Sequence, residues 1–367
     1  MKKLIYLLIF PVVLAGCSTK PHYSVTGKID GADTLTFLLQ KNEAGKLVSI
    51  DSAVAHKGTF RMHGGPIKYP EMVMLTAKNS RMRTRFYLEN SDITITGRLD
   101  SLFNAKISGS VTQDQYQEYV NLNKPLVEKY SKIYAAYQTA SQNNDTARVA
   151  SLEREADSVQ SDMTKLQKEF IRNNPKSFVA PTLLSGLSIE LEADELEGFV
   201  NGLDTAVANT QEIKELKERI TKMKSVAVGQ KAPDFTLNDP EGKPVSLSSK
   251  IGSKLLLIDF WAGWCGPCRR ENPNVVKVFT EFHKKGFDVI GVSLDQNKDE
   301  WVKAISSDNL AWTHVSDLQY WNSAAARLYA VSAIPANFLL DQNGVIIAKN
   351  LRGDALTTKV KEVLEAK

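Results

Sequence analysis

Two cysteines separated by two residues are the feature of this sequence with the clearest chemistry. Cys265 and Cys268 stand in the segment Trp264-Cys265-Gly266-Pro267-Cys268, between an apolar run and a predicted helix. Cys265 would occupy the helix N-terminus, where unpaired N–H groups and the helix dipole stabilise a thiolate and lower its pKa. Cys268, one turn further, is placed to attack a mixed disulfide formed by Cys265. The pair therefore predicts thiol–disulfide exchange.

The residues around the pair narrow the alternatives. Gly266 leaves room for a bulky disulfide substrate, and Pro267 suits a helix start, where its missing N–H would be unpaired anyway. Zinc needs four ligands, and the chain has no second C-x-x-C and no nearby histidine pair. Haem attachment needs a histidine where Arg269 stands. A purely structural disulfide is the other open interpretation, and no metal or other cofactor is predicted.

Several segments carry a resemblance to a known family. The run Asp259 to Cys268 is nearly the thioredoxin active-site signature. The segments Pro233 to Leu237, Arg269 to Pro273 and Gly291-Val292-Ser293 resemble those of TlpA/ResA-type membrane-tethered thioredoxins. The likeness covers about 226–367, and it implies a thioredoxin-like α/β fold with thiol–disulfide oxidoreductase activity.

The resemblance also implies roles for single residues. Ile334-Pro335 would be a cis peptide facing the cysteines, the alternative being a trans proline that starts a strand. Asp259 would be a buried acid that exchanges protons with Cys268, or else an acid paired with a lysine such as Lys254. Glu271 would tune cysteine reactivity, or else lie on a solvated helix face. The candidate substrate-binding residues are Trp264, Gly266, Pro267, Ile334 and Pro335.

The first seventeen residues predict export. Lys2 and Lys3 precede an apolar run from Leu4 to Gly16, which is shorter than the roughly 17–25 residues needed to span a bilayer. The ending Leu14-Ala15-Gly16-Cys17 resembles a bacterial lipobox and predicts lipidation of Cys17, the alternatives being an ordinary cleaved signal or an uncleaved anchor. We expect a membrane-anchored lipoprotein on the periplasmic side. The predicted leading segments are a signal peptide, 1–16, and a lipidated tether, 17–22.

Residues 23–112 predict an antiparallel β domain, a small sandwich or barrel. Short β-branched and aromatic runs alternate there with turn residues. No cluster of titratable residues stands out, which favours a structural or partner-binding role. The segments Asp51-Ser52-Ala53 and Phe86 to Asn90 resemble the N-terminal β domain of unknown function in Bacteroidetes-type lipoprotein thioredoxins.

Residues 113–225 predict a helical domain. Apolar residues recur every three or four positions from Val149 to Phe170, and again from Leu126 through Tyr130 to Ala140. The stretch Ser141 to Asp145 between them is a turn, so the two runs predict a helical hairpin. Its apolar stripes serve either packing within the chain or dimerisation, so a homodimer through this segment is one expectation.

Residues 226–367 change to an α/β pattern. Leu255 to Phe260 is a continuous apolar run, typical of a strand that is buried on both faces. A helix from about Pro267 to His283 and a strand from Phe287 to Ser293 follow. The turn Asp341 to Gly344 lies between two apolar runs and predicts a hairpin, after which a last helix closes the chain.

Composition and charge bound the function. The chain has 367 residues, which predicts two or three domains, and its formal charge of +4 includes no basic block that would favour nucleic acid. The resemblance favours a reductase that passes electrons from a membrane donor to disulfide-containing extracytoplasmic proteins. The alternatives are a disulfide oxidase or isomerase, and a binding lipoprotein in which the redox site is secondary. A peroxidase is disfavoured, because the eight residues ending at Cys265 hold neither proline nor threonine.

Overall fold

A computed structural model describes residues 22–43 and 45–365. The predicted signal peptide, most of the tether and Cys17 lie outside these residues. The chain forms two compact units: the first runs to Phe170 and includes Ser177–Val179, and the second comprises Ile171–Lys176 and continues from Ala180. The boundary therefore falls inside the predicted helical domain. Across the described ranges, no helix is both long and apolar enough to cross a membrane.

The first unit begins with a β-sandwich. Its described strands form two four-stranded sheets, in the orders β4-β1-β7-β8 and β3-β2-β5-β6. All neighbouring pairs are antiparallel except β1 and β7, which run parallel. The strands are β1 Tyr23–Asp30, β2 Thr36–Glu43, β3 Lys46–Val54, β4 Thr59–Gly64, β5 Glu71–Ala77, β6 Arg83–Leu88, β7 Asp92–Arg98 and β8 Lys106–Ser108.

The two sheets share one apolar core, which makes the predicted sandwich the correct alternative to a barrel. Phe37 on β2 and Phe60 on β4 stack with ring centroids 4.4 Å apart, although they belong to different sheets. Buried residues alternate with exposed ones along β4, as expected for a strand with one face in the core. The burial pattern of the described β-strands therefore reflects the packing of one sheet against the other.

The predicted helical hairpin is present. Helix α1 spans Val111–Gln142 and helix α2 spans Thr146–Asn173. The Ser110 hydroxyl caps α1 by accepting a hydrogen bond from the backbone N–H of Gln113. The predicted stripes pack together around Ile133, Ala140, Leu152 and Val159. Tyr130 is the exception: it keeps the spacing of the stripe but is 38% exposed.

The second unit combines short helices with a seven-stranded sheet of order β10-β9-β13-β12-β11-β14-β15 among the described residues. Its described helices are α3 Ala180–Leu187, α4 Ala193–Asn201, α5 Thr205–Ala208, α6 Gln211–Ser225, α7 Gly266–Phe282, α8 Lys298–Ser307, α9 Ala324–Leu328 and α10 Asp354–Glu365. Its described strands are β9 Thr236–Asn238, β10 Pro244–Ser246, β11 Leu255–Trp261, β12 Phe287–Ser293, β13 Thr313–Ser316, β14 Ala336–Asp341 and β15 Ile346–Lys349.

Strand β11 positions the cysteine segment. All seven of its residues are buried, and it runs between β12, a parallel neighbour, and β14, an antiparallel one. This confirms the apolar run as a strand buried on both faces. The strand β12, the hairpin β14–β15 and the helices α7 and α10 also lie where the sequence predicts them. The short strands β9, β10 and β13 carry no comparable pattern and were not predicted.

Candidate active site

The cysteine pair lies between β11 and α7. Cys265 is the N-cap residue of α7, and its Sγ is bonded to Sγ of Cys268 in a disulfide. The backbone N–H of Cys268 donates a hydrogen bond to Sγ of Cys265 across 3.1 Å. In the reduced protein, this N–H and the N-terminal end of the helix stabilise a Cys265 thiolate. Both residues belong to the buried core of the unit.

The loop before β14 lies against the first cysteine. The peptide bond between Ile334 and Pro335 is cis, as the resemblance implied, and the carbonyl oxygen of Ile334 lies 3.7 Å from Sγ of Cys265. The Pro335 carbonyl accepts a hydrogen bond of 2.6 Å from Nη2 of Arg352. The backbone edge nearest the disulfide is therefore fixed by a residue of the loop that follows β15.

Asp259 on β11 is a buried acid with a shifted pKa. Its exposed fraction is 5%, and burial is the main cause that raises its pKa to about 7. The negative charge of Glu271 raises the pKa further, whereas Arg352 opposes the shift. The alternative that Lys254 pairs with Asp259 finds no support, because Arg352 is the cation that acts on this carboxyl group.

Glu271 lies one helical turn after Cys268 and is tied to the backbone. Its Oε1 accepts hydrogen bonds from the backbone N–H of Gly353, at 2.8 Å, and from Nδ2 of Asn274, at 2.7 Å. Asn274 also donates to the Gly353 carbonyl. The solvated-face alternative does not describe this residue, because its carboxylate joins α7 to the loop that carries Arg352.

The remaining predicted substrate-binding residues are on the open side of the pair. Trp264 is 45% exposed, and its ring lies against those of Tyr320 and Trp321. A Cβ atom added at Gly266 would meet its nearest heavy atom, Nη1 of Arg270, at 3.7 Å, so none of the described residues crowds that face. Pro267 lies in the first turn of α7.

Three polar residues missed by the sequence analysis hold the segment between β11 and α7. Asp295 accepts a hydrogen bond of 2.9 Å from the backbone N–H of Gly263. Arg269 donates to the Gly263 carbonyl and forms an ion pair with Asp308. The position of Asp295 near the cysteine segment could have been predicted from the sequence, because Asp295 follows β12 and parallel neighbouring strands end at the same edge of a sheet. No sequence pattern pointed to Asp308, which lies 39 residues after its partner Arg269.

Helix α6 reaches the loop that carries the cis peptide. The Arg219 guanidinium donates to the Ser188 carbonyl and to the Ser332 hydroxyl, the latter across 2.8 Å. Burial lowers the pKa of Arg219, and both acceptors are uncharged. A cleft of about 240 Å³ lies beside these residues and extends to Pro335 and Arg352. The residues described by the structure hold no group of three or more histidine, cysteine or acidic side chains arranged for a metal.

Two family models match separate parts of the chain. The model described as the AhpC/TSA family matches residues 228–349. The model of DUF4369, a domain of unknown function, matches residues 23–116. The first covers the cysteine pair and the cis peptide, and the second covers the β-sandwich.

Known proteins resemble the C-terminal part. The thiol-disulfide oxidoreductase ResA of Geobacillus thermodenitrificans is 32% identical over 146 residues, which are 40% of this chain and 81% of that protein. ResA of Bacillus subtilis is 28% identical over 123 residues, covering 34% and 66%. Both comparisons agree with the resemblance that the cysteine segment carries.

Solved structures also match. The thioredoxin domain of a thiol-disulfide oxidoreductase from Bacteroides vulgatus is 37% identical, with a TM-score of 0.36, over 38% of this chain and 99% of that one. A thiol-disulfide oxidoreductase from Bacteroides fragilis is also 37% identical, with a TM-score of 0.35, over 36% and 99%.

Proposed function

The chain belongs to the family of ResA thiol-disulfide oxidoreductases, and we propose that it works as a reductase of extracytoplasmic protein disulfides. The observation that carries this proposal is the Cys265–Cys268 pair at the start of α7, with the Ile334 carbonyl beside the first sulfur. Cys265 lies at the N-cap of α7 and Cys268 within its first turn, so Cys265 meets the incoming chain first and Cys268 is held for the later step.

The proposed reaction has two exchanges. The Cys265 thiolate attacks one sulfur of the client disulfide, forms a mixed disulfide and releases one client thiolate. The Cys268 thiol then loses its proton and attacks Sγ of Cys265, which releases the second client sulfur as a thiolate. The client gains two electrons, and the enzyme ends with the Cys265–Cys268 disulfide. A membrane dithiol donor then reduces this disulfide by the reverse exchange.

Asp259 and Glu271 supply the proton chemistry in this proposal. The Asp259 carboxylate takes the proton of Cys268, a task that suits a group whose pKa is about 7. Glu271 keeps that pKa high through its negative charge. Trp264, Gly266, Pro267 and the Ile334-Pro335 peptide contact the client.

The proposed direction of electron flow, from this protein to its client, is inferred from Gly266 and Pro267. This pair resembles the dipeptide of reducing thioredoxins, whereas oxidising relatives commonly carry Pro-His. A disulfide oxidase or isomerase uses the same residues at a higher potential, and it is the second candidate. The family membership fixes the exchange reaction, and a measured potential decides between the two directions.

Anchoring and assembly complete the proposal. Lipidation of Cys17 after removal of residues 1–16 would hold the protein in the membrane on the periplasmic side, near its donor. More than one acyl chain gives stable anchoring, because each buried CH₂ group contributes about 0.8 kcal/mol. Tyr130 and Tyr134 are exposed on α1, and they support the proposed homodimer through the helical hairpin.

The deciding experiment measures the reduction potential of the Cys265–Cys268 pair in the soluble fragment from Lys20 onward. Alkylation in thiol buffers traps the two forms. A value at or below about −250 mV, near that of thioredoxin, supports a reductase. A value near about −120 mV, as in strong oxidants, overturns it and makes the protein a disulfide-introducing enzyme.

A cysteine variant separates both enzymes from a binding lipoprotein. We expect the Cys268→Ser variant to accumulate the mixed disulfide with its client, because the second exchange needs that sulfur. In cells, a strain carrying Cys265→Ser together with Cys268→Ser should lose the protein's phenotype. A retained phenotype would mean that the β-sandwich or the helices do the biological work.

A further inference from the structure

Three aromatic rings gather beside the first cysteine. Trp264, Tyr320 and Trp321 form an aromatic platform whose centroids are 5.1 Å apart for Trp264–Tyr320, 6.1 Å for Trp264–Trp321 and 5.8 Å for Tyr320–Trp321. These distances are within the range of favourable aromatic pairs. Trp264 is exposed and the other two rings are half-buried, so the platform offers apolar surface directly next to Cys265 in the sequence.

The loop that carries two of these rings adopts an unusual backbone. Leu318 and Tyr320 have positive φ values of 55° and 56°, a region that bulky residues rarely adopt. The Ser316 hydroxyl accepts a hydrogen bond from the Leu318 N–H, and the Asp317 carboxylate accepts one from the Ala324 N–H. Residues held in such conformations by specific contacts cluster at binding and catalytic sites. The loop thus presents Tyr320 and Trp321 in a fixed arrangement.

The exchange reaction at the cysteine pair indicates which part of a client would contact the platform. A client sulfur that reaches Sγ of Cys265 brings the residues next to its own cysteine against Trp264, because Trp264 directly precedes Cys265. Polar recognition is available at the Ile334 carbonyl, which lies 3.7 Å from Sγ of Cys265. On the platform side, burial of apolar area is the favourable interaction.

We propose that the aromatic platform selects client disulfides whose cysteine is flanked by an aromatic or large apolar side chain. This inference rests on the proposed function, since it names the client class of the same site. The side chain of the client packs on Tyr320 and Trp321 while its sulfur meets Cys265. The platform changes client binding and leaves the chemistry of the cysteine pair unaltered.

The test is a double-mutant cycle between enzyme and client. Two disulfide peptides are compared that differ only in phenylalanine or serine next to the cysteine. We expect Trp321→Ala to lower kcat/KM for the phenylalanine peptide about 2- to 10-fold, the range of an aromatic pair, and to leave the serine peptide nearly unchanged. Reduction of a small aromatic-free disulfide, oxidised glutathione, and the reduction potential should stay constant.

A second variant and a matched control distinguish a loss of client contact from misfolding of the enzyme. Tyr320→Asn removes a ring at a position with positive φ, which asparagine tolerates, so the loop keeps its backbone. It should reproduce the selective loss. Phe103→Ala removes an exposed ring between β7 and β8, outside the platform, and should affect neither peptide.

Two outcomes overturn the proposal. Equal losses for both peptides would assign the rings to support of the active-site loop, and no loss for either would remove them from client contact. These results differ from a failure of the proposed function, in which wild-type protein would have an oxidising potential or reduce neither peptide. Selective loss in both variants, with glutathione reduction unchanged, supports the platform.

Discussion

Two groups of residues near the cysteine pair, here called its two sides, differ in burial and in chemistry: one is acidic and the other is aromatic. On one side, Asp259 is buried and Glu271 is half-buried, and Glu271 accepts a hydrogen bond from Gly353 in the loop after β15, next to the exposed Arg352. On the other side, Trp264 is exposed and the neighbouring rings of Tyr320 and Trp321 are half-buried. Under the proposed function, the buried acid serves proton transfer and the aromatic rings serve client contact, and Arg352 is the residue that lies near both, because it acts on Asp259 and bonds the Pro335 carbonyl.

The physical reasons differ as well. Burial helps a carboxyl group to hold a proton at neutral pH, because exclusion of water disfavours its charged form. A client surface must instead remain exposed until the client arrives, because its contribution comes from apolar area that is removed from water on binding. The following substitutions test whether the two sides are in fact independent.

The largest effect is expected from Asp259→Asn. The second exchange should slow by about 10²- to 10⁴-fold, the usual contribution of a positioned acid or base. In the wild type this step should accelerate as pH rises through about 7, because only the carboxylate accepts the Cys268 proton. Rapid-mixing measurements of mixed-disulfide resolution against pH check this. A variant that keeps the same rise would exclude Asp259 as the acceptor.

The same substitution should stabilise the protein at high pH. The folded pKa of Asp259, about 7, is above its unfolded value of 3.8, so the stability present below pH 3.8 is lost as pH rises through 7. The difference between these two pKa values corresponds to at most about 4 kcal/mol of stability. Urea unfolding should therefore find Asp259→Asn more stable than wild type at pH 8, with the gain shrinking towards pH 4. A pH-independent difference would contradict this linkage.

A smaller change is expected from Glu271→Gln. The amide still accepts the Gly353 N–H but carries no charge, so the pKa of Asp259 should fall and the rise in the pH profile should move to lower pH. The rate at the plateau should change less than about tenfold. Glu271→Ala is the contrasting variant, because it also removes the tie to Gly353. An unmoved profile in Glu271→Gln would argue against electrostatic coupling to Asp259.

The smallest effect is expected on the client side, from Arg219→Met. Loss of the bond to Ser332 should loosen the loop before β14 and raise KM for peptide disulfides by about two- to fivefold, the low end of the roughly 0.5–1.5 kcal/mol that one hydrogen bond contributes. Reduction of oxidised glutathione and the pH profile should not move. Ser332→Ala should give a similar result, and Arg219→Lys should restore part of the loss. A shifted pH profile would show that the two sides are coupled.

Much of the site was predictable because it is local. The buried strand, the N-cap position of Cys265 and the turn between β14 and β15 each follow from a few consecutive residues. The resemblance supplied the cis Ile334–Pro335 peptide and pointed to Asp259. Tyr130 had the right spacing for a buried stripe and is exposed, because spacing assigns a helix face but not which part of that face another element covers.

The sequence by itself determined the chemistry: a nucleophilic cysteine at a helix start, a second cysteine one turn later, and an acid on the preceding strand. Only the tertiary structure decided what surrounds them. Arg352 meets the Pro335 carbonyl, and Tyr320 meets Trp264. Such contacts join residues from separate elements, and they depend on the packing of the sheet and its loops, which no local pattern of residue types encodes.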